Sequence, residues 1–324
     1  MRKVIIGGIP EPIGGVTSFI SRLASHNRVD HVIDIYPRKN KIGLHGYTGD
    51  VVFLNGFISL AKYLILNRKE LKFDSLHFNF STSNSLLFFI ILPNIFEKQS
   101  LMLHHGDLSG VPCFKSIYKY ILKRFDVIYS INERQSDFYS SLGVEKEVIK
   151  KVSSYVKPNN ISIESIPQSI LDYFDSDSVL TCSGTPSSLY NHDWCVRFVS
   201  NNPSFKLAMF INGEESEVKE FSRMYDVLDR VKVFSGVGEH GFNYAISNSK
   251  VYLRPTSKDS FGIAIADAVN FGTKVLCSNV CPRYPGSMIF DELTYQCFED
   301  NLNKILNNEL VTCEENKEFT EFEF

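Results

Sequence analysis

The chain lacks any apolar run long enough to cross a membrane as a helix. A span needs roughly 20 such residues, and the most apolar stretch, Leu86 to Leu92 within SLLFFIILPNIF, stops at Pro93. It reads as a buried helix. The opening does not read as a secretory leader either. The opening MRKVIIGGIPEPIGG is interrupted too early by Gly and Pro, and it reads as a first buried strand, Lys3 to Ile6. The seven cysteines (113, 182, 195, 277, 281, 297 and 313) are odd in number and follow no disulfide framework. Cys277-x3-Cys281 has no paired ligand set nearby, which argues against zinc, and free thiols of a reducing cytoplasm remain. There is no nucleic-acid module motif, no G-x-G-x-x-G fingerprint and no long internal repeat. Net charge is only −3 over 324 residues, so the total excludes little.

The distribution of charge says more. Residues 1–160 carry 21 Lys and Arg against 13 Asp and Glu, a net of +8; residues 161–324 carry 13 against 24, a net of −11. A basic half joined to an acidic half implies two domains with different partners. With no nucleic-acid motif beside it, the basic half fits an anionic membrane surface better than nucleic acid. Charged faces that meet only water are the plain alternative. Helix Phe114 to Phe125 adds to the membrane reading. Ile117, Tyr118, Ile121, Leu122 and Phe125 share one side, and Lys115, Lys119, Lys123 and Arg124 mark others.

Both halves alternate strands and helices, which implies parallel sheets covered on both faces. In the first half the strands are Lys3–Ile6, His31–Ile35, Val51–Leu54, Ser75–Phe80, Leu101–Leu103 and Val127–Ile131. In the second they are Val179–Cys182, Lys206–Ile211, Val231–Phe234, Val251–Leu253 and Lys274–Ser278. The Pro-, Asn- and Ser-rich stretch between the halves suits a linker. The expected division is a first domain over 1–157, a linker over 158–178, a second domain over 179–313 and an acidic, poorly ordered tail over 314–324.

Chemistry concentrates in Lys250 to Gly286. A buried strand breaks at Pro255, Ser260 takes an N-cap position, a helical pattern runs from Phe261 to Phe271, and Gly272 stops it. In open α/β sheets ligands sit in the crevice outside the carboxyl ends of the strands. Asp259 lies in that loop, and Asp267 lies eight residues on, within the helix. The backbone N–H groups of Phe261 and Gly262 at the helix start suit a phosphate. Anion donors beside two hydroxyl-accepting carboxylates suit a nucleotide-sugar. A capped helix after a strand is also common in any α/β protein, with Asp259 balancing the dipole and Asp267 facing solvent.

This segment resembles the signature region of the family 4 retaining glycosyltransferases of GT-B fold. That family reads Pro-Ser, then Glu-x7-Glu around Phe-Gly, then Ala and Gly before the next strand. Here the residues are Pro255-Thr256, Asp259, Phe261-Gly262, Asp267-Ala268 and Gly272, with both glutamates shortened to aspartate at unchanged spacing. The resemblance extends more loosely from Gly7 to about Phe290. Gly14 and Gly15 are similar to the Gly-Gly loop that contacts the donor phosphate. His105, in His104-His105-Gly106, matches a histidine near the donor sugar, and His77 matches a more structural one. Gly184 matches the glycine after the first strand of the second domain, and Val237 the turn that meets the base. The chain departs from the family after Gly184. The Arg and Lys that hold the donor diphosphate are missing there, so Arg254 and Arg283, each ending a strand, are the substitutes. Either could also be an ordinary surface arginine.

The resemblance implies a GT-B architecture, two Rossmann-like domains with parallel sheets facing across a cleft. It implies a retaining, metal-independent glycosyltransferase, since no Asp-x-Asp pair stands in a suitable place. The donor is a nucleotide-sugar, and the acceptor is a lipid-linked saccharide of bacterial lipopolysaccharide or capsule synthesis. No cofactor or metal is expected. The expected location is cytoplasmic, peripheral on the inner face of the membrane. Asp259 and His105 take catalytic roles at the sugar. Gly14, Gly15, Gly184, Val237, Arg254, Ser260, Phe261, Gly262, Asp267 and Arg283 bind the donor, with Asp267 at the ribose. The missing Arg/Lys pair and the two shortened carboxylates keep two alternatives open. One is a non-catalytic GT-B chain that binds a sugar or scaffolds a partner. The other is a sugar-nucleotide epimerase on a similar scaffold.

Overall fold

The computed structural model describes residues 1–10, 15–36, 44, 46–104, 115–175, 178–225, 227–259, 261–309 and 322. These residues divide into two units, one formed by Met1–Asn159 with Phe322 and the other running from Asn160 onward.

Short runs of β-branched and aromatic residues, most of them buried, form the inner strands of the first unit, and strands covered on both faces pair in parallel. In chain order its elements are β1 (Lys3–Gly7), α1 (Gly15–Ser25), β2 (His31–Asp34), β3 (Asp50–Phe53), α2 (Gly56–Leu66), α3 (Arg68–Leu71), β4 (Ser75–Phe80), β5 (Lys98–Leu103), α4 (Lys115–Leu122), β6 (Val127–Ser130), α5 (Glu133–Ser141) and β7 (Ile149–Lys151). Among the described residues they build a seven-stranded parallel sheet in the order β3-β2-β1-β4-β5-β6-β7. The alternation within β4 sorts the two cores. Leu76, Phe78 and Phe80 join the core under α2 and α4. His77 points to the other face, where its ring meets Tyr129 and Phe322.

The second unit repeats the plan. It holds α6 (Gln168–Tyr173), β8 (Val179–Gly184), α7 (His192–Asn201), β9 (Lys206–Ile211), α8 (Glu215–Tyr225), β10 (Val231–Phe234), α9 (Glu239–Ser247), β11 (Val251–Arg254), α10 (Ile263–Asn270), β12 (Lys274–Ser278), β13 (Met288–Phe290) and α11 (Tyr295–Leu306). Its described strands pair in parallel in the order β10-β9-β8-β11-β12-β13. In both sheets the winding reverses beside the first strand, between β1 and β4 and between β8 and β11. That is the topological switch point, where doubly wound sheets bind ligands.

Four local expectations change. The run Leu86 to Leu92 is not a buried helix: Ser83–Ile90 is a 3-10 helix, and Leu87, Ile90 and Ile91 are exposed. The stretch 158–178 is more than a linker. It carries α6, and its Ile166, Ile170 and Phe174 pack with Val179, Ala208 and Phe210. Helix α7 has no counterpart among the elements expected from the sequence, and neither do the short strands β7 and β13. The acidic tail lies outside the described residues apart from Phe322, whose ring is buried against Phe19, His77 and Tyr129.

Candidate functional site

The carboxyl ends of β8, β11 and β12 bring three of the singled-out residues together. Parallel pairing sets Arg254 opposite Cys277 and one residue beyond the Leu253–Cys182 pair. Arg254 therefore ends its strand beside Ser183, and its Nη1 donates to the Ser183 carbonyl at 3.1 Å. Its Nε donates to Asp259 Oδ2 at 3.1 Å. Arg283 Nη1 donates to the same Oδ2 at 2.9 Å. One carboxylate oxygen thus receives two guanidiniums, and the trio carries a net charge of +1. Burial alone would raise the Asp259 carboxyl. The facing Arg254 and Arg283 outweigh it and hold the group well below the usual carboxylate range.

Arg283 is not a surface arginine. It is 1% exposed. Besides Asp259, it donates from Nε to Ser278 O at 2.8 Å and from Nη2 to Ser278 Oγ and Thr256 Oγ1 at 3.2 and 3.4 Å. Four of its five N–H groups are committed within the protein. Arg254 differs. Its side chain is 14% exposed, and among the described residues its Nη2 makes no hydrogen bond.

The loops after β8 and β11 are tied to one another. Asn191, in the left-handed region at φ 47°, donates from Nδ2 to Pro255 O at 2.6 Å. The Ser257 N–H donates to Leu189 O at 2.8 Å. Tyr190 lies under Arg254, with the guanidinium carbon 4.9 Å from the ring centroid. His192 stacks parallel to Tyr190 at 5.5 Å. It is anchored through Nε2–H to Thr185 O at 3.2 Å, so its Nδ1 accepts from the Cys182 thiol at 3.6 Å. Gly184 leaves room for this stack, since a Cβ there would stand 2.4 Å from Tyr190 Cδ1.

Helix α10 starts later than its sequence pattern implies. The N-cap is Gly262, left-handed at φ 83°, with no side-chain cap. The unpaired first-turn N–H groups therefore belong to Ile263 and Ala264 rather than to Phe261 and Gly262. Glycine is needed here on two grounds: its φ, and a Cβ that would meet Ile265 Cδ1 at 2.8 Å with Arg283 and Asp259 just beyond. Phe261 is buried. Asp267 is also buried, at 2% exposure, rather than facing solvent. Val237 packs on the core that holds Phe210 and Phe234. Gly14, His105 and Ser260 lie outside the described residues, and Gly15 opens α1.

In the first unit His104 bonds Asn79 Oδ1 at 2.7 Å, and His77 bonds Ser100 Oγ at 2.9 Å. Burial, with His104 nearby, pushes His77 down to about 3, so it is a neutral structural imidazole at physiological pH. Among the described residues no group of three or more His, Cys, Asp and Glu converges as metal ligands would. The site residues missed in the sequence are Ser183, Tyr190, Thr256 and Ser278. Thr256 stands in the signature itself, where a serine or threonine after Pro255 was the available signal.

No protein-family model matches the chain. An uncharacterized glycosyltransferase of Haemophilus influenzae is 21% identical over 259 residues, covering 77% of this chain and 69% of that protein. Among solved structures, Anabaena HepE in complex with UDP and glucose superposes with a TM-score of 0.72 at 14% identity, over 95% of this chain and 91% of that one. The fold is GT-B. The lipopolysaccharide outer core galactosyltransferase WaaB shares it, at a TM-score of 0.61 and 14% identity over 95% and 91% of the two chains. At the second switch point of this chain no Arg or Lys stands between Gly184 and His192, and Tyr190 from that loop lies against Arg254 at the end of β11.

Proposed function

We propose that the chain is a retaining glycosyltransferase that moves a sugar from a nucleotide-sugar to a lipid-linked saccharide in bacterial surface-polysaccharide synthesis. The observation that carries this reading is the cationic cluster of Arg254, Asp259 and Arg283 at the second switch point. It stands at the start of α10, whose first N–H groups and dipole add to it. A diphosphate is the ligand that such a site attracts. HepE, of the same fold, was solved with UDP-glucose. In this chain the leaving phosphate would gather charge beside Arg254 and the Ile263 and Ala264 N–H groups, which are fixed in advance. A phosphate held on the side of the sugar that it leaves can take the proton of the incoming hydroxyl on that same face, which retains configuration. Guanidinium and backbone donors do the work that a metal does elsewhere, so no metal is assigned. Asp259 has Oδ2 committed to two arginines, and its part is to place Arg254 as much as to meet a sugar hydroxyl. His105 is assigned to the sugar and Asp267 to the ribose. The non-catalytic and epimerase alternatives are not favoured.

Location on the inner face of the membrane belongs to the same reading. Elements α2, α4 and the 3-10 helix Ser83–Ile90 pack over one core of the first unit. Each exposes large apolar residues: Ile58 and Leu66, Ile117 and Tyr120, Leu87 and Ile90. Exposed lysines 62, 115, 119 and 123 stand among them. Arg124 is not one of this set, because its Nη1 is committed to Phe89 O and Leu92 O. Apolar side chains ringed by cations fit an anionic lipid surface. Among the described residues no helix is long and apolar enough to cross a membrane.

A thermal-shift panel of nucleotide-sugars, followed by donor consumption with and without chelator, tests the enzyme reading. A stabilising nucleotide-sugar that is hydrolysed or transferred under chelator supports it. Conversion to an epimeric nucleotide-sugar, or absence of any binding, overturns it.

A further inference from the structure

We propose that Arg283 is a positioning residue for the donor diphosphate: a buried cation that keeps Asp259 from cancelling the charge of Arg254. The inference rests on the donor-site reading above. Among the described residues Arg254 is the guanidinium of the cluster with an uncommitted end, and its Nε is 3.1 Å from Asp259 Oδ2. Alone, that pair would sum to zero and present a dipole to an incoming phosphate. Arg283 approaches the same oxygen at 2.9 Å with a side chain that is wholly buried. Its donors are committed to Asp259, Ser278 and Thr256, yet its charge returns the cluster to +1. Its remaining donors fix its plane through Ser278 and Thr256, so Oδ2 is held at one point and Arg254 with it. A buried guanidinium is costly to desolvate, and replacing a buried ion pair by apolar side chains often leaves stability unchanged or raises it. A cluster kept only for packing would not need two cations on one anion.

Charge compensation tests this. Affinities for UDP and for uridine are measured calorimetrically on the full chain, wild type and variants, with melting curves to check folding. Arg283→Met should lower UDP affinity about tenfold or more while uridine affinity stays within about twofold, because one charge beside a phosphate is worth on the order of a factor of ten. Asp259→Asn added to Arg283→Met restores the +1 and should recover UDP affinity to within about threefold of wild type. Arg283→Lys keeps charge without the fork and should fall between. If Arg283→Met does not fold, the same comparison is made within the D259N background, where no carboxylate is left orphaned. There the loss of Arg283 should still weaken UDP and spare uridine. A double variant that binds UDP as poorly as the single one overturns the proposal. So does an equal loss for UDP and uridine, which would mark Arg283 as merely structural. Wild-type protein that binds none of UDP, GDP and ADP overturns the donor-site reading itself, a result distinct from either.

Discussion

An alanine at position 184 has no room. Its Cβ would stand 2.4, 2.5 and 2.7 Å from Cδ1, Cγ and Cε1 of Tyr190. The backbone there is not in the left-handed region, so the cost is steric alone. The ring cannot simply swing away, because it is stacked on His192 and lies under Arg254. Overpacking of this kind costs about 1–3 kcal/mol. For a unit of roughly 150 residues that lowers the melting temperature by about 2–12 °C. Displacing the ring also removes the cation–π contact that holds Arg254 in place, so UDP affinity should fall as well. Differential scanning calorimetry and a UDP titration read the two effects. Adding Tyr190→Leu to Gly184→Ala relieves the clash, so stability should return while the weakened UDP binding persists. If Gly184→Ala melts and binds like wild type, the tied-loop argument is wrong. If the leucine does not restore stability, the damage comes from somewhere other than Tyr190.

Asp259→Asn should destabilise the protein at neutral pH, since removing the anion from a buried pair costs roughly 3–5 kcal/mol. Because the Asp259 carboxyl titrates far below its ordinary value in the folded state, its contribution is complete above the ordinary carboxylate range and is lost as pH falls toward the depressed value. The gap between wild type and D259N in denaturant melts should therefore narrow only in strong acid; a gap that closes near pH 6 refutes the assignment. Asp267→Asn should weaken nucleotide binding by about 1–3 kcal/mol through a ribose hydroxyl left unpaired, and unchanged nucleotide affinity removes it from the site. His105→Ala should cut transfer sharply while UDP still binds, and chelator should leave wild-type transfer intact; activity restored by a divalent ion would show that the metal-independent reading is wrong. Replacing Ile90 and Ile91 by serine should reduce co-sedimentation with phosphatidylglycerol vesicles, and equal binding by the variant would locate any membrane contact elsewhere.

The alternation of buried runs made six strands of the first sheet and five of the second readable, because strands covered on two faces cannot hide their composition; the edge strands β7 and β13, three residues each, carry too short a run to show. The site was readable only in pieces. Arg254, Asp259 and Arg283 each stood out singly, but their convergence on one oxygen depends on the β11–β12 register, which pairs Arg254 with Cys277 across 23 residues of chain. Burial of Arg283 was invisible for the same reason: a strand-end arginine reads identically whether its donors meet water or Ser278. Ser260 looked like the cap of α10 because serine is a strong N-cap residue, whereas the left-handed Gly262 sets the start instead. The run at Leu86 misled because continuous apolarity has no period, so it cannot tell a buried helix from a 3-10 helix with half its side chains outward.

Phe322 has a consequence for synthesis. Its ring closes the face of the first unit that carries Phe19, His77 and Tyr129. On the ribosome those three side chains emerge between 193 and 303 residues before their partner. A nascent chain that has made residues 1–159 holds an open aromatic face throughout translation of the second unit. The first unit is thus begun before the second and completed after it. A fragment ending at Asn159 would carry the same open face permanently, which makes it a poor stand-in for the first unit of the whole protein.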